Sequence, residues 1–154
     1  MKLLKAGAQR LTFTISRQEK QLLFRVLEFY PLIPETHHRL SRTEDRPEDQ
    51  KLLEEALAHQ RAQLKQQVAA WKQARAGLCR KNTHGRLALK PAEVNWLLQV
   101  LNDIRVGSWL ALGSPDGPAE IIAALNEQTA RHFWLMEAAG GFQTVLLMAT
   151  NGGE

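Results

Sequence analysis

Leu101-Asn102-Asp103-Ile104-Arg105 sets an amide, a carboxylate and a guanidinium within four positions of one another, in the middle of a long apolar stretch. A guanidinium held in such a place can grip a carboxylate or phosphate through two parallel hydrogen bonds. The stretch runs from Pro91 to Leu112 and reads as a single helix. At 100° per residue, Val94, Leu97, Val100, Leu101, Ile104 and Leu112 share a core face. Arg105 falls at the edge of that face, with Asn102 three residues before it and Trp109 four residues after it. Asp103 points to the opposite side. A guanidinium over Trp109 would gain about 0.5–2 kcal/mol as a cation–π contact. Asn102, Arg105 and Trp109 are therefore the candidate binding residues, for a small anion or a peptide. The alternative is a polar clamp, in which Arg105 pairs with Glu19, Glu28, Glu54, Glu55 or Glu137 on a neighbouring element.

A second constellation is basic. Arg61, Lys65, Lys72 and Arg75 lie on one stripe of a long helical segment, and Arg80, Lys81, Arg86 and Lys90 extend it. Such a stripe suits the phosphates of a nucleic acid. It equally suits a solvated helix face, and cations near a helix C-terminus are favoured by the dipole alone.

Other chemistry is sparse. The five histidines form no pair at helical spacing and no His-Glu-x-x-His, so no metal site is assigned. The chain has no phosphate-binding Gly-rich loop and no Gly-x-Ser-x-Gly nucleophile turn. Cys79, the single cysteine, stands next to Arg80, a cation that could activate it, but a structural thiol is the better reading. No catalytic residue and no cofactor are assigned.

The elements that must position these residues follow from patterning. Lys2–Ala6 and Arg10–Ile15 flank a Gly-containing loop, and Leu11, Phe13 and Ile15 alternate, which predicts a β-hairpin. Ser16 with Glu19 predicts a capped helix starting near Arg17, with Leu22, Leu23, Val26, Leu27 and Tyr30 as its inner stripe. Residues 31–49 read as an exposed linker. A long helix follows from about Pro47 and stops at Gly77. Leu53, Leu57, Gln60, Leu64, Gln67, Trp71, Ala74 and Leu78 give it a diluted heptad seam, suited to an antiparallel neighbour or to a helix of a second chain. Arg86–Lys90 reads as a third strand for the hairpin. After the central helix and a Gly-Pro-rich break, a helix from Ala119 to about Ala138 is expected, with Ile122, Leu125, Phe133 and Met136 facing inward. Gly140-Gly141 should break or kink it before a short helix from Phe142 to Thr150. The whole chain of 154 residues reads as one domain: mainly α within the α+β class, four to five helices and a small antiparallel sheet.

Charge is uneven. Residues 1–90 hold 18 Lys and Arg against 9 Asp and Glu, whereas residues 91–154 hold 2 against 7. That layout favours an acidic partner, nucleic acid, self-association, or attraction between the two halves of one fold. The lone cysteine and the lack of a signal-like or membrane-spanning run predict a cytoplasmic protein with no membrane contact.

Leu101-Asn102-Asp103-Ile104-Arg105-Val106, behind a short strand and a Trp-Leu pair, resembles the Leu-Asn-Asp-Leu-Arg-Leu signature of a bacterial family. It is the domain-of-unknown-function family numbered twenty-seventeen. The resemblance extends to the hairpin and first helix and to Phe133-Trp134-Leu135. The family continues with Gly-Thr-Arg-Leu-Gly where this chain has Trp109-Leu110-Ala111-Leu112-Gly113, so a second arginine is missing. Members are often encoded beside the adaptor of the Clp protease, and some are labelled regulators. The resemblance implies no established activity. The leading expectation is a non-enzymatic, cytoplasmic protein-interaction module acting as a homodimer. The alternatives are a nucleic-acid-binding regulator using the basic stripe, and an anion-binding or enzymatic site at Arg105.

Overall fold

Strand alternation places Phe13 and Ile15 on one face of the second strand, and both are buried there. The structure, a computed structural model, describes residues 1–34, 47–79 and 84–152. Strands β1 (Lys2–Gly7), β2 (Arg10–Ser16) and β3 (His84–Leu89) form an antiparallel sheet in the order β1-β2-β3. Leu11 pairs with Leu89, Phe13 with Leu87 and Ile15 with Gly85, so the apolar side chains of the two strands share one face. The third strand thus joins the hairpin on its β2 side.

Helix α1 (Arg17–Leu27) begins where Ser16 and Glu19 predict. The Ser16 Oγ accepts from the Glu19 amide at 3.1 Å, and the Glu19 carboxylate accepts from the Ser16 amide at 2.8 Å. Helix α2 (Pro47–Ala74) has 28 residues, about 42 Å at 1.5 Å per residue. It ends before Gly77; the left-handed residue beyond it is Cys79, at φ 63°. Helix α3 (Pro91–Ala111) packs along α5 (Ala130–Asn151), and α1 leans on both. A short α4 (Pro118–Ala124) links them. The architecture is α+β, five helices with one three-stranded sheet among the described residues.

The C-terminal region departs from expectation twice. The break lies at Asn126–Thr129, not at Gly140-Gly141. Asn126 Oδ1 accepts from the amides of Gln128 and Thr129 at 2.8 and 3.0 Å, and Thr129 Oγ1 donates to the Ala124 carbonyl at 2.6 Å. An Asx turn of this kind stops a helix by offering its backbone other partners. Helix α5 then runs unbroken through both glycines. Its buried side is Leu135, Ala139, Phe142, Leu146 and Ala149, whereas Ile122 and Leu125, expected inside, are exposed.

The seam of α2 is also shifted. Gln60, Gln67 and Ala74 are exposed; the covered stripe runs Leu53, Leu57, Arg61, Leu64, Val68, Trp71, Arg75 and Leu78. Only Val68 and Trp71 of α2 are fully buried. The expected seam was diluted because alternate positions of it lie beside the true one. Residues 35–46 of the expected linker, with His37 and His38, lie outside the described residues, as do Arg80 and Lys81.

Candidate functional site

The central helix has two inward sides. Besides the face through Leu97, Val100 and Leu101, a second stripe of Trp96, Asp103 and Gly107 turns toward the segment after α1 and toward α2. Asp103 is the polar centre of this stripe. Its Oδ1 accepts from the Leu32 amide at 2.6 Å and the Ile33 amide at 3.2 Å. Arg61 of α2 donates to the Ile33 carbonyl at 2.9 Å, so one peptide segment is held from two helices. Gly107 makes the approach possible: a Cβ there would sit 2.7 Å from the Leu32 carbonyl carbon and 2.9 Å from the Ile33 amide nitrogen. Burial pushes the Tyr30 phenol above its ordinary value; the Asp103 charge adds to that shift and the Arg61 charge opposes it.

The remaining inner contacts tie α2 to the body. Trp71 meets the ring of Trp96 edge-on at 5.7 Å and that of Phe24 at 5.8 Å. Each such pair contributes about 0.5–1.5 kcal/mol beyond area burial. Arg75 lies 4.5 Å over Trp71 and bonds Glu93 at 2.7 Å. Lys72 pairs with Glu28 at 2.6 Å, and Lys20 donates to the Ala76 and Leu78 carbonyls at 2.8 and 2.7 Å. Those carbonyls belong to the chain just past α2, where a cation is favoured.

The expected site residues therefore fare differently. Of the basic stripe, Arg61, Lys72 and Arg75 face the fold and have partners within it; Lys65 is exposed on the rim of a 180 Å³ cleft with Tyr30 and Lys72. Asn102, Arg105 and Trp109 lie along one surface of α3; Asn102 and Arg105 come together as expected, whereas Trp109 turns to Pro115 instead of stacking on the guanidinium. Arg105 is exposed; among the described residues it donates a 3.3 Å hydrogen bond to Asn102 Oδ1 and pairs with none of the expected glutamates. Its stem would lie 3.6 Å from a Cβ on Gly140 of α5. Trp109 turns its indole N–H to the Pro115 carbonyl at 3.0 Å, away from a stacked guanidinium. The polar clamp exists, but Asp103 forms it.

Asp103 was missed because a single core face was assumed for α3. Trp96, Asp103 and Gly107, at spacings of seven and four, carried the missing signal: a large aromatic and a glycine in line with an acid.

The outer side of α5 is more open, although Trp134 borders a cleft with Lys20 and Phe24 of α1. Trp134 is 38% exposed, Leu147 46% and Met148 71%. From Ala138 to Asn151 this helix carries no charged side chain. Among the described residues, no three of His, Cys, Asp and Glu gather as a metal site, and no helix is long and apolar enough to cross a membrane. The Cys79 thiol is buried and donates to the Ile15 carbonyl at 3.3 Å.

The chain matches no family model, no curated protein and no solved structure. What can be said of its role rests on its own residues.

Proposed function

We propose that this protein is a non-enzymatic protein-interaction module that works as a homodimer. The observation that supports it is the placement of exposed apolar side chains. Trp109, Ile122, Leu125, Trp134, Leu147 and Met148 all lie in the C-terminal third, and only Leu4 and Leu52 lie elsewhere among the described residues. Isolated exposed leucines are ordinary, whereas a helix face that exposes Trp, Leu and Met and lacks charge is the signature of a contact surface. A cytoplasmic setting and a regulatory role belong to the same proposal. The first is supported by the unpaired Cys79 and the second by the Asn102-Asp103-x-Arg105 motif.

Light scattering coupled to size exclusion tests this reading. At tens of micromolar the chain should elute with twice its 17.4 kDa mass. A clean monomer there would sink it. Of the four cations Arg61, Lys65, Lys72 and Arg75 on which the nucleic-acid alternative rests, three have partners inside the chain. Gel shift with duplex DNA at low salt should accordingly show no retardation, and binding that weakens steeply with added salt would reverse the choice.

A further inference from the structure

A cleft of about 490 Å³ opens between α1 and Trp134 of α5. Its volume is that of a small-ligand site, which runs to roughly 300–1,000 Å³. Leu22, Phe24 and Trp134 line it with apolar surface, and Lys20, Arg25 and Glu28 with charge. Those charges are unequally engaged. Glu28 is paired with Lys72 at 2.6 Å. Lys20 lies 5.3 Å over the Phe24 ring and donates to the Ala76 and Leu78 carbonyls. Arg25 is exposed, and no described residue pairs with its guanidinium. The helix dipole explains a cation in the last turn of α1. It does not explain why Trp134, on the other wall, keeps 38% of its surface open.

We propose that this cleft binds a carboxylate carried beside an aromatic or bulky apolar group. Arg25 takes the carboxylate, and Trp134, Phe24 and Leu22 take the group. Charge selects the ligand. Glu28 is already answered by Lys72, so Lys20 and Arg25 leave the cleft cationic. It therefore draws an anion and repels a further cation. A planar guanidinium matches a carboxylate through two parallel hydrogen bonds. An aromatic group laid against the Trp134 indole gains an offset-stacked or edge-on contact. A bare anion would leave that apolar surface wet, and a neutral ring would leave Arg25 unanswered. The same chemistry belongs to a free aromatic acid and to the C-terminal residue of a peptide. The inference goes beyond the homodimer reading and does not depend on it, because one chain supplies the whole cleft.

The test titrates the full chain with N-acetylphenylalanine, followed by nuclear magnetic resonance of the indole N–H groups. Saturable one-to-one binding is expected at millimolar affinity, the scale that a ligand of this size reaches in an open cleft, with the Trp134 signal moving most. N-acetylphenylalaninamide, which lacks the charge, and acetate, which lacks the ring, should each bind at least tenfold more weakly. Arg25→Gln and Trp134→Ala should each weaken binding of the acid at least tenfold. Arg25 is exposed, so Arg25→Gln should leave the melting temperature unchanged, and lost binding there is loss of the site. A tripeptide ending in phenylalanine separates the two sources of the ligand. Binding at least tenfold tighter than the acetylated amino acid assigns the cleft to peptide C-termini, and binding no tighter assigns it to small acids. No saturable binding, an amide as tight as the acid, or binding indifferent to both substitutions would overturn the proposal. None of these outcomes bears on the homodimer, which light scattering reads separately.

Discussion

Helices α3 and α5 each carry a tryptophan and a glycine in line on one face. In α3 the line is Trp96, Asp103 and Gly107; in α5 it is Trp134, Gly141 and Met148. The α3 line is met by the chain itself. Trp71 closes on Trp96, and the peptide of Leu32 and Ile33 lies against Gly107 within reach of Asp103. The α5 line is more open: Trp134 borders a cleft with Lys20 and Phe24 of α1, whereas Gly141 and Met148 are exposed. The difference lies in the middle residue of each line, Asp103 in one and Gly141 in the other. A carboxylate in mid-helix recruits backbone amides and so fixes a neighbour in place, whereas a glycine there offers only room. One stripe is a completed contact within the chain, and the other is largely open.

Removing the acid should have the largest effect. Asp103→Ala leaves two backbone amides without their acceptor at a part-buried position. It should cost about 3 kcal/mol, at 1–3 kcal/mol for each orphaned group, read from urea or thermal unfolding. Asp103→Asn keeps an oxygen and should cost about half as much. Tyr30, the only tyrosine of the chain, reports the same change in absorbance. With the carboxylate gone, its phenol should titrate nearer the ordinary value, because the Asp103 charge is one of the causes that raise it. The linkage sign follows. A phenol raised in the folded state stays protonated after the unfolded chain has lost its proton, so the native protein loses stability as pH climbs above about 10. If Asp103→Asn left the Tyr30 titration unmoved, the cluster would not be coupled as described.

The glycines give the next largest effect and opposite signs. Gly107→Ala drives a Cβ into backbone that cannot swing aside, and should destabilise by about 2 kcal/mol after the gain in helix propensity. Gly141→Ala meets open space and should stabilise the isolated chain by up to about 1 kcal/mol. If both substitutions shifted unfolding the same way, the contrast between the two stripes would fail.

Much of this scaffold was legible before the structure, and the exceptions share a cause. The Ser16–Glu19 cap, the alternation through Phe13 and the three-stranded sheet are local patterns whose partners lie close in sequence or have one plausible neighbour. Patterns that depend on distant neighbours were misread. Helix α3 was given one inner face, although elements from two directions cover it. The seam of α2 was placed through glutamines because Arg61 and Arg75 were counted as surface cations; each has a long apolar stem that can be covered while its head bonds a carbonyl or carboxylate. Gly140-Gly141 reads as a break in sequence, since glycine is a weak helix former. Asn126 with Thr129, which trap the backbone with side-chain hydrogen bonds, were the stronger stop.

A smaller effect concerns the N-terminal end of α5. Burial pushes the His132 imidazole below its ordinary value of 6.5, and the neighbouring Arg131 charge adds to the shift. The unfolded chain therefore takes up a proton at higher pH than the native one. Stability from this residue is complete above the ordinary value and falls as pH drops through it. His132→Gln should flatten that acid limb, measured as melting temperature between roughly pH 7 and 5. An unchanged limb would place its cause elsewhere. The completed stripe of α3 should be insensitive to this substitution, which separates it from the α5 end of the molecule.

The smallest effect is expected at the residue that looked most important in sequence. Arg105 shares the Asn-Asp-x-Arg run with Asp103, yet the two side chains have opposite duties. Asp103 faces the Leu32–Ile33 peptide, and Arg105 faces solvent with Asn102 as its hydrogen-bond partner. An exposed arginine without a carboxylate contributes little to folding, so Arg105→Ala should move stability by no more than about 0.5 kcal/mol. A loss of about 3–5 kcal/mol would instead mark a buried ion pair and restore Arg105 as the clamp. The small value carries meaning of its own. An arginine that the fold does not need, held beside an amide on a helix that the fold holds rigidly through Asp103, is free to spend its donors on something outside the chain.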